Sequence, residues 1–308
     1  MLVSYADNLY SMAQAAQSRD YGKVRKEVLE KADTLDVTLW ENESLYGFKV
    51  YDNAALTKIT GFPVKVVRFF FSDVDTLHNE EQEGVIKQLF ARLSAYYAEH
   101  PAYYNLRVPL FLVDVIKCSN LLPQKRIFCG GTQVFYATNA KEIPYVFTEG
   151  VDFITVDEGY VNEHFDELIQ ITEESFSEYQ GQYHISPIVE DYARDVYINW
   201  IKDITLTSTE NMLLVAEVDH KAIGYAYVEI NGNTADLSLT AVNPKYRGRG
   251  IYRSLIMKLM EFCKSREKLL IAATQMDNYG SQTTWTELGM KPYFGFYNIH
   301  YDMRTNQD

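Results

Sequence analysis

Arg247-Gly248-Arg249-Gly250 stands directly before a run in which Ile251, Leu255, Ile256, Leu259, Met260 and Cys263 trace one face of a helix. Two glycines leave the first backbone N–H groups of that helix uncovered, and two arginine charges lie beside them. Unpaired donors, a helix dipole and positive charge together are equipment for holding an anion. Two phosphate-loop templates fail here. A Walker loop needs Gly-Lys-Ser/Thr, which is absent, and the dinucleotide fingerprint needs a third glycine where Arg253 stands and has no room for the spacer Asn243 to Tyr246. Upstream, the segment Phe176 to Pro187 gathers Tyr179, Tyr183, His184 and Ser186. Flat amphipathic rings and hydroxyls suit a polar, ring-shaped ligand. With an ordinary pKa of about 6.5, His184 has the proton affinity of a general base near neutrality.

These residues need elements to position them. "NMLLVAEVD", "AIGYAYVEI" and "ADLSLTAV" read as three successive strands, joined at His220-Lys221 and at Asn231-Gly232-Asn233 by hairpin-type connections. The arginine-glycine helix follows, then the strand "KLLIAATQM", a short helix from Ser281 to Leu288, and closing strands within "YFGFYNIHYDM". Before them come the strand "DFITVDEG", the helix "VNEHFDELIQITEESF" and a helix opened by Pro187 in "PIVEDYARDVYINWIKDI". The amino-terminal part reads as mixed α/β: a helix from Ser4 to Asp33, strands in "LDVTLWENESLYGFKVYDN", a helix from Asn79 to His100, the strand "YNLRVPL", a helix at "FLVDVIKCSNLL" and the strand "RIFCGGTQVFYAT". The expected organisation is α+β, with an accessory mixed α/β domain over 1–147 and a second domain over 148–308. No repeat of fixed period is visible.

A chain of 308 residues accommodates two such domains, and 47% hydrophobic with 23% charged residues is ordinary for a globular protein. The formal charge of −13 argues against a general nucleic-acid binder, which needs a basic face, while leaving room for one phosphate pocket. Cys118, Cys129 and Cys263 are odd in number and lack metal-ligand spacing, so neither a disulfide framework nor a metal site is expected, and a cytoplasmic location fits. The amino terminus lacks a secretory pattern, and no window approaches 18 unbroken apolar residues, so no membrane span is expected.

Three antiparallel strands, an Arg-Gly-Arg-Gly turn, a helix, a strand, a helix and a closing hairpin resemble the Gcn5-related N-acetyltransferase (GNAT) family. Arg247 and Gly250 match its Gln/Arg-x-x-Gly-x-Gly/Ala signature, with Tyr252 in the last small position. The resemblance implies a mixed, largely antiparallel sheet splayed between two central strands, and acetyl-CoA as co-substrate without a metal. It implies that the amides of Arg247 to Tyr252, Ile251 included, hold the pyrophosphate. The pantetheine arm would lie along Thr240 and Val242, in a gap between Leu237–Val242 and Leu269–Gln275, with Asn278 matching the family's asparagine. The family's acid, a tyrosine seven residues after that asparagine, is here Trp285, and tryptophan cannot transfer that proton. Tyr279, Tyr293 and Tyr252 are the substitutes.

"IAATQMDN", "FSEYQGQYHISP" and "LWENESLYGFKV" resemble the family's sugar-nucleotide branch, typified by dTDP-4-amino-4,6-dideoxygalactose (TDP-fucosamine) N-acetyltransferase. That branch implies a nucleotide-linked amino sugar as acceptor, bound by Tyr179, Tyr183, His184 and Ser186, in the synthesis of surface polysaccharide such as the O-antigen of lipopolysaccharide. Another small amine, a peptide, or a silent acetyl-CoA-binding protein are the alternatives.

Overall fold

The computed structural model describes residues 39–42, 46–71, 87, 91–109, 127–138, 145–177, 179, 181–204, 206 and 211–304. The expected helices at Ser4–Asp33 and "FLVDVIKCSNLL", and Cys118, lie outside them. Among the described residues, eleven strands form one sheet in the order β1-β2-β3-β4-β11-β5-β10-β9-β8-β7-β6. They are β1 (Leu39–Asn42), β2 (Tyr46–Asp52), β3 (Val64–Phe71), β4 (Tyr103–Pro109), β5 (Ile127–Thr138), β6 (Asp152–Val156), β7 (Asn211–Val218), β8 (Lys221–Asn231), β9 (Thr234–Val242), β10 (Leu269–Gln275) and β11 (Lys291–Asp302). The helices are α1 (Ala54–Thr60), α2 (91–99), α3 (Glu158–Glu163), α4 (Phe165–Phe176), α5 (Gln182–Ile185), α6 (Ala193–Lys202), α7 (Ile251–Ser265) and α8 (Tyr279–Glu287). Among them, none is long and apolar enough to cross a membrane.

The period-2 pattern of β7 divides its side chains between two cores. Met212, Leu214 and Ala216 meet α7 and α8 on one face, whereas Leu213 and Val215 meet α4 and α6 on the other. All six residues of the predicted apolar stripe on α7 are buried. Each large member, such as Leu255 or Leu259 at 0% exposure, contributes about 1.5–3 kcal/mol on leaving water. The helix stops where Glu267 adopts a left-handed φ of 52° and the Lys268 N–H closes on the Cys263 carbonyl at 2.9 Å.

Three expectations are corrected. The segment 161–176 is two helices, because the chain turns at His164 between α3 and α4. The helix expected from Pro187 begins at Ala193, after turns over 187–189 and a 3-10 turn at Glu190–Tyr192. The closing segment is not a local hairpin: β11 is one twelve-residue strand pairing antiparallel with β4 and β5, both far upstream. Hydrogen bonds to distant strands replaced a turn that local residue preferences suggested.

Candidate active site at the splayed strands

β9 and β10 run parallel and pair from Thr234↔Leu269 to Leu237↔Ala272, after which the pairing ends. The cause is local to β9. A register shift against β8 falls between Val228↔Leu237 and Tyr227↔Leu239, so Ser238 is the extra residue of a β-bulge, and a bulge bends and twists its strand. Beyond it, Leu239 to Val242 continue pairing with β8, while Ala273 to Gln275 pair only with β5. Two backbone edges therefore face each other across a cleft of about 700 Å³.

At one end of the cleft lies the arginine-glycine turn. Asn243 Oδ1 accepts from the Lys245 N–H at 3.0 Å, opening a 3-10 turn over Pro244–Tyr246. Gly248 and Gly250 then take φ of 76° and 79°, values that side chains rarely adopt. Gly250 caps α7 without any side-chain bond, leaving the first amides of the helix uncovered. Arg247 lines the cleft mouth and donates to the Ser175 carbonyl at 3.2 Å. Gly248, Arg249 and Gly250 are exposed, with the Arg249 guanidinium over the Tyr246 ring. Ile251 is buried in the core under α7.

Along the cleft, Thr240 and Val242 form the β9 wall, facing Thr274, Asn278, Ser281 and Trp285. Asn278 donates to Thr274 Oγ1 at 2.8 Å and accepts from the Ser281 N–H at 3.4 Å, which ties α8 to β10. Trp285 is 2% exposed and packs against Tyr136. Its Nε1 and Thr240 Oγ1 are buried without a hydrogen-bond partner, and both residues line the cleft. Tyr252 lies between the turn and Trp285. Burial pushes its phenol up to about 12, against the opposing influence of the Ser281 hydroxyl and the Trp285 indole. That indole approaches without meeting the geometry of a hydrogen bond, as its unpartnered Nε1 records.

The far end is aromatic. Phe176 and Tyr197 stack at 4.2 Å, Tyr179 meets Phe176 edge-on and Tyr183 meets Tyr197 edge-on. These four line the cleft with Gln182, Trp200 and Gln133. Burial raises the phenols of Tyr179, Tyr183 and Tyr197, so all three stay protonated as donors at neutral pH. Gly181 is required by the crowding: a Cβ there would lie 2.6 Å from Tyr197 Oη and 2.7 Å from Tyr179 Cε1.

Other residues singled out by sequence sit elsewhere. His184 is on α5, stacked on Tyr197 and outside the cleft lining, with Nδ1 unpartnered and its pKa lowered by burial. Ser186 is fully buried, 2.7 Å from Tyr103 Oη. Tyr279 is 73% exposed, on a shallow depression with Gln282 and Thr286. Tyr293 packs on β11 against Phe135. Sequence reasoning passed over Gln133, Tyr197 and Trp200. The i,i+3 spacing of Tyr197 and Trp200 on α6 was a weak signal, but nothing local marks Gln133.

Comparison with known proteins is consistent with this geometry. Residues 165–290 match the acetyltransferase (GNAT) family. A Bacillus subtilis (strain 168) protein with the provisional name [ribosomal protein bS18]-alanine N-acetyltransferase is 29% identical over 80 residues, 26% of this chain and 53% of that protein, so the chain spans about half the length of this curated relative. Among solved structures, a GCN5-related N-acetyltransferase from Sphaerobacter thermophilus aligns with TM-score 0.58 at 14% identity, over 100% of this chain and 96% of that one. A functionally unknown conserved protein from Staphylococcus epidermidis ATCC 12228 aligns with TM-score 0.53 at 12% identity, over 88% and 96%. At such identities the structures speak to fold. Residues 165–290, the part of the chain that matches the acetyltransferase (GNAT) family, supply the bulged strand, the arginine-glycine turn and most of the cleft.

Proposed function

We propose that the chain is an acetyl-CoA-dependent N-acetyltransferase acting on a polar, ring-bearing amine. The observation that carries this reading is the divergence of β9 from β10 beside an uncapped, glycine-led helix start. An extended ligand with a pyrophosphate at one end fits that pairing of a free strand edge with an anion site. Thr240 Oγ1 and Trp285 Nε1 support the fit, since buried polar atoms without partners are rare unless something else meets them. When bound, acetyl-CoA supplies a thioester carbon open to attack by a neutral amine.

The chain's own groups then divide the work. N–H donors on the open edge of β9 stabilise the oxyanion formed when the amine's C–N bond is made. Tyr252 Oη hydrogen-bonds the departing sulfur as the C–S bond breaks. At a pKa of about 12 it is too weak an acid to surrender its proton to a thiolate of pKa about 8.5, so it acts as a donor. The proton lost by the amine passes to solvent at the open end. His184 stands outside the lining, and no carboxylate is among the described residues of the cleft. Arg247 to Tyr252 and Asn278 hold the coenzyme, and Trp285 excludes water.

The acceptor we favour is a nucleotide-linked, dTDP-type aminodideoxy sugar destined for surface polysaccharide, handled in the cytoplasm where both substrates are made. Rings at Tyr179, Tyr183, Tyr197 and Trp200 suit the C–H face of a pyranose, and the lack of a carboxylate among the described lining residues disfavours a polyamine. The second reading is the α-amine of a peptide, the chemistry in the name of the Bacillus subtilis relative. Thiol release from acetyl-CoA should be followed with dTDP-4-amino-4,6-dideoxygalactose, an alanine-initiated peptide and spermidine. The sugar nucleotide is expected to turn over at least tenfold faster than the others. A faster peptide would replace the acceptor, and silence from every amine, with coenzyme bound, would replace the enzyme reading.

A further inference from the structure

We propose that the amino-terminal half is a second copy of the acetyltransferase fold that has lost its coenzyme turn and serves as the acceptor-side wall of the working cleft. The proposal rests on the functional reading above. Its starting point is the strand order, which is a palindrome apart from the edge strand β6. Reading outwards from the centre, β11, β4, β3, β2 and β1 on one side correspond to β5, β10, β9, β8 and β7 on the other.

Every pairing direction obeys the same correspondence. β1–β2 and β2–β3 are antiparallel like β7–β8 and β8–β9; β3–β4 is parallel like β9–β10; β4–β11 is antiparallel like β10–β5. Register agrees as well. Val64↔Tyr103 opens the parallel pairing at the first residues of β3 and β4, as Thr234↔Leu269 does at the first residues of β9 and β10. Both parallel pairs part before their ends, at Arg68↔Arg107 and at Leu237↔Ala272. A two-fold passing through the Phe296↔Gln133 pair exchanges the halves, each lending its last strand to the centre.

Counting back along the sequence from each parallel pair extends the comparison. Gly84 precedes Tyr103 by 19 positions, as Gly250 precedes Leu269 by 19. Yet Arg247-Gly248-Arg249-Gly250 is answered by Glu81-Gln82-Glu83-Gly84. Two arginines have become two glutamates, and a carboxylate beside a pyrophosphate repels it. In sequence, the first half therefore lacks the two arginines that flank the second half's glycines.

What the first half does offer is support for the second. Gln133 of β5 enters the cleft lining directly. Asn105 of β4 donates to Gln182 Oε1 at 3.1 Å, and Tyr103 Oη lies 2.7 Å from Ser186 Oγ, so β4 grips both ends of α5. Gln182 and Tyr183 of that helix belong to the aromatic end of the cleft. Asn105 and Tyr103 are thus positioning residues: they hold α5, which in turn shapes the acceptor end.

Titration calorimetry of the full chain with acetyl-CoA, combined with steady-state kinetics on the acceptor that turns over fastest in the panel above, tests both parts. One coenzyme per chain is expected, with at least a tenfold loss of affinity in Gly250→Asp. Tyr103→Phe, which removes only a hydroxyl, is expected to raise KM for the acceptor about fivefold with coenzyme Kd unchanged. Asn105→Leu should do the same. Two coenzymes per chain, or binding that survives Gly250→Asp at a second site, would overturn the lost-turn half of the proposal while leaving the acetyltransferase reading intact. Unchanged acceptor KM in both β4 variants would overturn the wall. No coenzyme binding at all would overturn the functional reading, and this proposal with it.

Discussion

Tyr252 shows how one position changes meaning between sequence and structure. In the signature it occupies a place usually held by a small residue; in the fold its phenol stands in the cleft beside Ser281 and Trp285. Trp285, at the position where the resemblance implies an acid, is a buried packing residue against Tyr136 with one unpaired N–H. The substitution and the tyrosine are thus neighbours. Replacing Tyr252 by Phe should lower kcat about tenfold or more, the loss of a hydrogen bond to a developing thiolate, with little change in KM for acetyl-CoA. Because burial holds the phenol near 12, it is protonated throughout the range from pH 6 to 9, and the pH profile of the variant should parallel that of the parent. A fully active Tyr252→Phe enzyme would remove the hydroxyl from the reaction.

At the scale of elements, the site depends on one bulge and one cap. The bulge at Ser238 turns β9 aside, and Asn278 holds the start of α8 against β10 so that Trp285 and Ser281 reach the opening. Asn278→Ala removes the side-chain acceptor for the Ser281 N–H and the donor to Thr274. A lost cap costs about 1 kcal/mol, which corresponds to a fall in Tm of roughly 2–4 °C for a domain of this size. Thermal melting followed by circular dichroism would read it, and a Tm within a degree of the parent would show that α8 is held by its packing alone.

Across the whole molecule, the seam where the two halves exchange strands carries a buried imidazole. His300 of β11 is 1% exposed and sits flush on Gly130 of β5, where a Cβ would lie 2.6 Å from its Nε2. Burial, assisted by the Arg107 guanidinium, lowers its pKa to about 4. The unfolded chain, with a histidine near 6.5, binds the proton first as pH falls. Between pH 6.5 and 4 the unfolded state therefore holds more protons, and this residue's contribution to stability is complete above 6.5 and is lost on the way down to about 4, by about 3 kcal/mol. Urea denaturation of parent and His300→Gln at pH 7 and pH 4.5 should give a smaller pH-dependent loss in the variant. Equal losses would mean that His300 does not control acid stability at this seam.

Local residue preferences were enough to reveal β6 to β10, the buried face of α7, the glycine turn and the aromatic segment after α4, because periodicity, positive-φ glycines and ring content are written into contiguous sequence. The same local reading named Tyr179, Tyr183, His184 and Ser186 alike, whereas contacts with other elements separate them: Tyr179 and Tyr183 line the cleft, Ser186 is turned toward Tyr103 and His184 onto Tyr197. It passed over α1 and β3, and it read β11 as a hairpin. Tertiary structure alone decided that β11 pairs with β4 and β5, that Gln133 enters the cleft, and that the strand order is a palindrome in a chain without a visible repeat. Hydrogen bonds between strands separated by well over a hundred residues are formed by backbone groups that are identical in every residue, so register across the seam leaves almost no trace in residue type.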